Sequence, residues 1–153
     1  MNPEVRQALA RDRVVDITTR GRRSGRPQRI EIWFWRADGT LFLTGAPGAP
    51  RHWARNLAAD PAFILHMKES ATADLEARAR TVTDEDERRR VFPEILAQID
   101  GDVPESWVSR MPAAARDAVR ANLAEIALDR EGQLPRWLAE SPLVEIQLDS
   151  ARS

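Results

Sequence analysis

The residues best suited to chemistry lie early in the chain, in Thr18-Thr19-Arg20-Gly21-Arg22-Arg23-Ser24-Gly25-Arg26-Pro27. Guanidinium forks pair bidentately with phosphate and carboxylate oxygens, glycines let the backbone come close, and a serine hydroxyl adds a hydrogen bond. The run therefore reads as a holder for an anionic, phosphorylated ligand. A solvated basic hairpin tip accounts for such a run about as well. A second segment, Gly45-Ala46-Pro47-Gly48-Ala49-Pro50, leads into Arg51-His52-Trp53 at a helix start. Free N–H groups at a helix N-terminus favour anions, and small residues before it leave room for a ring system against the backbone. An ordinary strand-to-helix connection uses Gly and Pro in the same way. Trp33 and Trp35 alternate with Phe34, so the two indoles face one way and the phenyl the other. One face is core; the other is a candidate wall for a planar ligand.

Other chemistries are excluded by what the chain lacks. It has no Cys, which removes disulfides, thiolate catalysis and cysteine zinc sites. His52 and His66 are the only histidines, with no zinc-protease spacing, so we expect no metal centre. Tyr is absent too, leaving no phenol as a proton donor. The net charge of -1 argues against a nucleic-acid binder. No apolar run approaches the ~20 residues of a membrane helix, and Met1-Asn2-Pro3-Glu4-Val5-Arg6 lacks the apolar region of a secretory signal. A cytoplasmic location is the expectation. Lys68 is the single lysine among many arginines, and alanine abounds, a composition typical of high-GC bacterial genomes.

These groups must be positioned by the elements around them. Asn2 with Pro3 caps a short helix to about Arg11; Val14–Thr19 reads as a strand, Arg20–Arg26 as a loop, and Ile30–Trp35 and Leu41–Thr44 as a hairpin about Ala37-Asp38-Gly39. A helix over Arg51–Ala59 ends at Asp60-Pro61, and strands follow at Phe63–Met67 and Ala73–Val82. Thr83 is the expected N-cap of a helix running to about Ile99. An Ala-rich helix over Pro112–Asp129 precedes a closing strand at 142–148. We expect one domain over 1–153, of α+β class, with a helical insertion at about 84–140 and a sheet that curls into a barrel because a late strand pairs back onto the early ones.

Taken in order, Ile17-Thr18-Thr19, Gly21-Arg22-Arg23-Ser24-Gly25 with Pro27, the hairpin, the small-residue loop, and Trp53 with Asn56-Leu57-Ala58-Ala59-Asp60-Pro61 resemble the deazaflavin-dependent nitroreductase and quinone reductase family. Asp74–Arg78 and Thr83-Asp84-Glu85 extend the likeness over roughly residues 14 to 96. The resemblance implies a split β-barrel with peripheral helices, and coenzyme F420, a hydride carrier with a phosphodiester and a glutamate tail. Carried across, it assigns Arg22, Arg23, Ser24, Gly25 and Pro27 to the phosphate and tail, with Gln28 where relatives often have a base. Trp33, Gly45, Ala46, Arg51, Trp53 and Asn56 would border the ring and its linker. Two departures stand out. Pro47 falls near a lysine of relatives, so one phosphate contact would be lost or moved to Arg51. The C-terminal tyrosine of nitro-reducing relatives has no counterpart, so the proton would come from solvent, Ser106, Ser109 or another donor. Residues 100–138 are expected as a helical lid that brings Trp107, Met111 or Trp137 over the substrate pocket.

The resulting expectation is an F420H2-dependent reductase, monomer or homodimer, passing hydride to a small conjugated acceptor such as a quinone, enone or nitro compound. The alternatives are a split-barrel protein binding FMN, or haem through His52 or His66, and a non-catalytic ligand-binding protein.

Overall fold

The computed structural model describes residues 1–99, 108–109, 111–128 and 130–149. Helix α1 (Pro3–Arg11) is capped by Asn2, whose side chain accepts from the Val5 N–H. Strand β1 (Val14–Arg20) is followed by β2 (Pro27–Ala37), β3 (Thr40–Thr44), helix α2 (His52–Ala59), β4 (Ala62–Met67) and β5 (Ala73–Thr81). Helices α3 (Glu85–Ile99), α4 (Ala113–Leu128) and α5 (Arg130–Glu140) precede the last strand, β6 (Leu143–Leu148).

The six strands close into an antiparallel barrel in the order β1-β2-β3-β6-β5-β4. The closing strand enters between β3 and β5, pairing Leu43 with Val144 and Ala79 with Ile146. This is the split β-barrel of α+β class that the sequence predicts. Side-chain alternation then sorts the residues between two cores. Ile17, Phe34, Leu43, Leu65, Leu75 and Ile146 fill the barrel, joined by Val5, Ala8 and Leu9 from α1 and by Trp53 and Leu57 from α2. Trp33, Trp35 and Phe42 point outward into a second core built with Phe92, Ile95 and Leu96 of α3 and Trp137 of α5. Two guanidiniums close the polar edges of this arrangement. Arg13 stacks 4.7 Å from the Trp35 ring centre, and Arg36 lies 4.9 Å from that of Phe34 while donating to the Leu9 and Asp12 carbonyls.

Strand β2 is longer than the sequence suggests. Its pairing with β1 starts at Pro27 opposite Arg20, so the arginine loop shrinks to residues 21–26. Pro27 is tolerated because the first residue of a strand can forgo its donor. On its other side β2 meets β3 only from Phe34 to Ala37. Residues 27–33 thus have a strand neighbour on one side alone among the described residues, and the barrel wall splits open there.

The start of α3 corrects the expected cap by one residue. Asp84, not Thr83, accepts the Glu87 N–H, at 2.9 Å, and its carbonyl takes the first helical bond from Arg88. The carboxylate wins because it adds a charge at the positive end of the helix dipole. Replacing Asp84 with Ala is expected to cost about 1 kcal/mol, while Thr83→Ala costs a few tenths at most. Urea midpoints of the two variants decide between the caps, and equal losses would count against Asp84.

Candidate functional site

Where β2 outruns β3, the chain leaves β3 at Thr44, makes the small-residue loop and returns through α2. The space between this loop and the unpaired edge of β2 is a cavity of about 220 Å³. Trp33 and Trp35 form one wall, with ring centroids 6.0 Å apart at 71°. Gly45, Ala46, Ala49 and Pro50 form the opposite side, and His52, Trp53 and Asn56 of α2 close one end. Ile99 of α3, Met111, Val119 of α4 and Trp137 of α5 make the roof.

The arginine loop is fastened to this cavity by one side chain. Asn56 is 1% exposed, and its amide oxygen accepts from both the Arg22 backbone N–H at 3.2 Å and the Arg22 guanidinium at 3.0 Å. Its amide nitrogen donates to Thr19 Oγ1 at 3.1 Å and to Gln28 Oε1 at 2.8 Å. One buried amide therefore ties the end of β1, the loop, the start of β2 and α2 together. The Arg22 guanidinium also lies 3.5 Å from His52 Nδ1.

The turn itself is shaped by glycine. Gly21 accepts from Gly25 N–H and donates to the Arg26 carbonyl, each at 2.8 Å. A Cβ at Gly21 would fall 2.6 Å from Ser24 Oγ and 2.8 Å from Gln28 Nε2, so any other residue would force those side chains to shift. Gly25 takes φ +71°, a region that favours glycine. Around this frame Arg23, Ser24 and Arg26 are exposed, with the Ser24 hydroxyl accepting the Arg26 N–H.

The residues singled out from sequence fall into three groups. Gln28, Trp33, Gly45, Ala46, Trp53 and Asn56 line the cavity, as do Met111 and Trp137. Arg22 touches its edge through Asn56 and His52, and Arg23 and Ser24 extend outward from there. Gly25 and Pro27 instead border a separate groove with Thr18, Arg20, Ile64 and Glu76. Arg51 turns one guanidinium nitrogen to the Glu140 carbonyl at the end of α5. Trp107 and Ser106 lie outside the described residues, and Ser109 is exposed. Both ring nitrogens of His66 are engaged, with Thr18 Oγ1 and Asp74 Oδ1, each at 2.7 Å. Neither is free to ligate an iron.

Sequence reasoning missed three contributors. Glu31 shares the outward face of Trp33, lines the cavity, and pairs with Lys68 at 2.7 Å. The Lys68 ammonium also meets Asp16 at 2.6 Å, so the lone lysine bridges β1 and β2. Arg88 of α3 is half-buried and donates to the carbonyls of Val82, Leu138 and Ser141, while lying 5.1 Å from the Phe92 ring centre. Burial lowers its pKa from the ordinary arginine value. With Arg51 it holds the C-terminal end of α5, where free carbonyls attract cations.

The barrel is thus closed and antiparallel, with an aromatic-walled cleft at its split and an exposed basic loop beside it. A family profile described as F420H(2)-dependent quinone reductase matches residues 2–114. The chain belongs to that family: it is a reductase, and its coenzyme is F420. The fold recurs in a conserved hypothetical protein, Rv2991, of Mycobacterium tuberculosis, at 17% identity and TM-score 0.64, covering 97% of this chain and 81% of that one. A putative 5-nitroimidazole antibiotic resistance protein of Bacteroides thetaiotaomicron matches at 12% identity and TM-score 0.55, covering 97% and 80%. A putative pyridoxamine 5'-phosphate oxidase of Listeria innocua matches at 11% and 0.54, covering 95% and 90%.

Asn56→Leu keeps the side-chain size but strands the Arg22 N–H and the Thr19 and Gln28 oxygens. A loss of about 2–4 kcal/mol in urea unfolding is expected, since the buried Thr19 hydroxyl and the partly buried Arg22 N–H lose their partner at once. A loss below about 0.5 kcal/mol, the scale of an ordinary surface substitution, would refute the hub.

Proposed function

We propose that the arginine loop holds the phosphate and glutamate tail of F420, that the split of the barrel holds its ring, and that the acceptor is a small conjugated molecule: a quinone, an enone or a nitro compound. The observation that carries this reading is the adjacency of two unlike surfaces. An exposed basic turn meets a cavity whose walls are almost wholly apolar, and Asn56 joins them. A ligand with a flat apolar head and a charged tail satisfies both at once.

The donor set fits such a ligand. Arg23 and Arg26 present exposed guanidiniums, Arg22 is held toward the cavity by Asn56, and Ser24 offers a hydroxyl. These are the groups that match phosphate and carboxylate oxygens. Gly45 and Ala46 keep the far wall low, and a Cβ at Gly45 would meet nothing nearer than Trp53 at 4.0 Å. Packing therefore does not demand glycine there; space for a ring does. Arg51 acts indirectly in this picture, fixing α5 above the cavity rather than touching phosphate.

When bound, the reduced coenzyme supplies hydride, the chemistry that no side chain here could provide. The chain's own residues bind, orient and dry the site. Trp33, Trp35, Ile99, Met111 and Trp137 exclude water from the reacting faces, which protects a hydride donor from competing reactions.

The test is a titration of the purified protein with F420, followed by a screen of quinones, enones and nitroaromatics for coenzyme oxidation. Arg22→Ala combined with Arg23→Ala is expected to weaken F420 binding by roughly 100-fold, equivalent to about 3 kcal/mol for charge-assisted hydrogen bonds. Wild-type affinity should also fall as salt is raised, because exposed charges are screened. An unchanged dissociation constant in the double variant would remove the loop from the coenzyme site. Tight binding of FMN in place of F420 would overturn the ring assignment.

A further inference from the structure

Consecutive residues of β2, from Ile30 through Glu31 and Ile32 to Trp33, line the cavity. Strand side chains alternate between faces, and here Ile30 and Ile32 pack into the barrel while Trp33 points outward. An unbroken run of lining residues means that the strand shows the cavity its main chain along this stretch.

The direction of those peptide groups follows from one bond. The Phe34 N–H donates to the Arg13 carbonyl at 2.8 Å, on the β1 side. In an antiparallel ladder successive residues address opposite neighbours. Ile32 and Ile30 therefore bond to Val15 and Ile17 of β1, and Glu31 between them turns both its N–H and its carbonyl the other way. Trp35, turned to the same side, meets Phe42 of β3. At Glu31 no β3 residue stands opposite, and the cavity takes its place. Among the described residues nothing pairs with the Glu31 N–H or carbonyl. The Glu31 side chain is drawn toward β1 instead: its carboxylate lies 2.7 Å from the Lys68 ammonium, which also holds Asp16 of β1.

Backbone donors and acceptors away from water need partners, and a strand residue with an open edge offers one of each, side by side and pointing the same way. Their complement is a planar ligand with a carbonyl next to an N–H. We propose that the Glu31 main chain docks the pyrimidinedione edge of the coenzyme ring: the Glu31 N–H donates to a ring carbonyl, and the Glu31 carbonyl accepts from the ring imide N–H. This rests on the coenzyme site proposed above and deepens it by naming the edge of the ring that faces β2. The imide N–H and its flanking carbonyls are the same in the oxidised and reduced ring, so the grip serves both states. Glu31 is thus a positioning residue through its backbone, fixing the rotation of the ring in its own plane.

The test uses wild-type protein labelled with ¹⁵N and ¹³C. On titration with F420, the Glu31 amide proton is expected to move downfield and its exchange with water to slow at least roughly tenfold, as for a newly made hydrogen bond. The Phe34 amide, already bonded to Arg13, should keep its exchange rate within about twofold. A second arm compares two tail-free rings, 10-methyl-5-deazaisoalloxazine and its 3-methyl derivative, which lacks the imide N–H. The first is expected to bind roughly tenfold more tightly, the equivalent of one neutral hydrogen bond, and only the first should slow Glu31 exchange. Equal affinity of the two rings, failure of both to bind included, overturns the inference. So does a Glu31 amide left unprotected while F420 shifts the Trp33 and Trp53 indole signals. If F420 shifts no cavity resonance, the coenzyme reading falls instead, and the pair of rings still judges the strand edge.

Discussion

The unequal lengths of two neighbouring strands govern this structure. Strand β2 runs from Pro27 to Ala37, while β3 covers only Thr40 to Thr44, so a barrel closed everywhere else carries an unpaired stretch of wall. An edge of that kind must be covered or used. Here the small-residue loop and α2 stand off from it, and the outward indoles of Trp33 and Trp35 turn the gap into an apolar cleft instead of a sealed seam. The second core, between β2 and α3, exists because those same indoles need cover along the rest of their length.

Polar order at the cleft depends on Asn56. A buried amide has two donors and an acceptor with two lone pairs, and Asn56 meets Arg22, Thr19 and Gln28 with them. Because these partners come from three separate elements, the amide sets the distance between the basic turn and the aromatic wall. The charge on the turn is thus held in place by a neutral group, which leaves Arg23 and Arg26 free of carboxylate partners on the same turn.

Much of this frame is legible in the sequence because it rests on local rules. Period-two alternation set Phe34 on the opposite face from Trp33 and Trp35, though not which face was the barrel interior, the Asn2-Pro3 cap fixed α1, and Gly and Pro marked the loop before α2. The return of residues 142–148 to the sheet was expected because a late strand pairing back onto the early ones closes an edge. What could not be read locally was decided by tertiary contacts. The destination of Arg51, a carbonyl near residue 140, depends on how α5 packs. The role of Arg88 is equally remote, since one guanidinium in a run of charged residues looks like its neighbours until burial singles it out. The shift of the α3 cap from Thr83 to Asp84 turned on a single backbone bond. Glu31 and Lys68 meet only because β1, β2 and β4 lie side by side.

The way α5 is fastened has an evolutionary consequence. Arg51 and Arg88 grip main-chain oxygens, which every residue type possesses. These two polar moorings are therefore indifferent to the side chains that α5 carries, while Trp137 anchors the helix in the core through its ring. Substitutions along that helix can reshape the space above the cleft without loosening its moorings, while the strands beneath stay as they are. A scaffold of this kind can diversify what it reduces by drift in one segment.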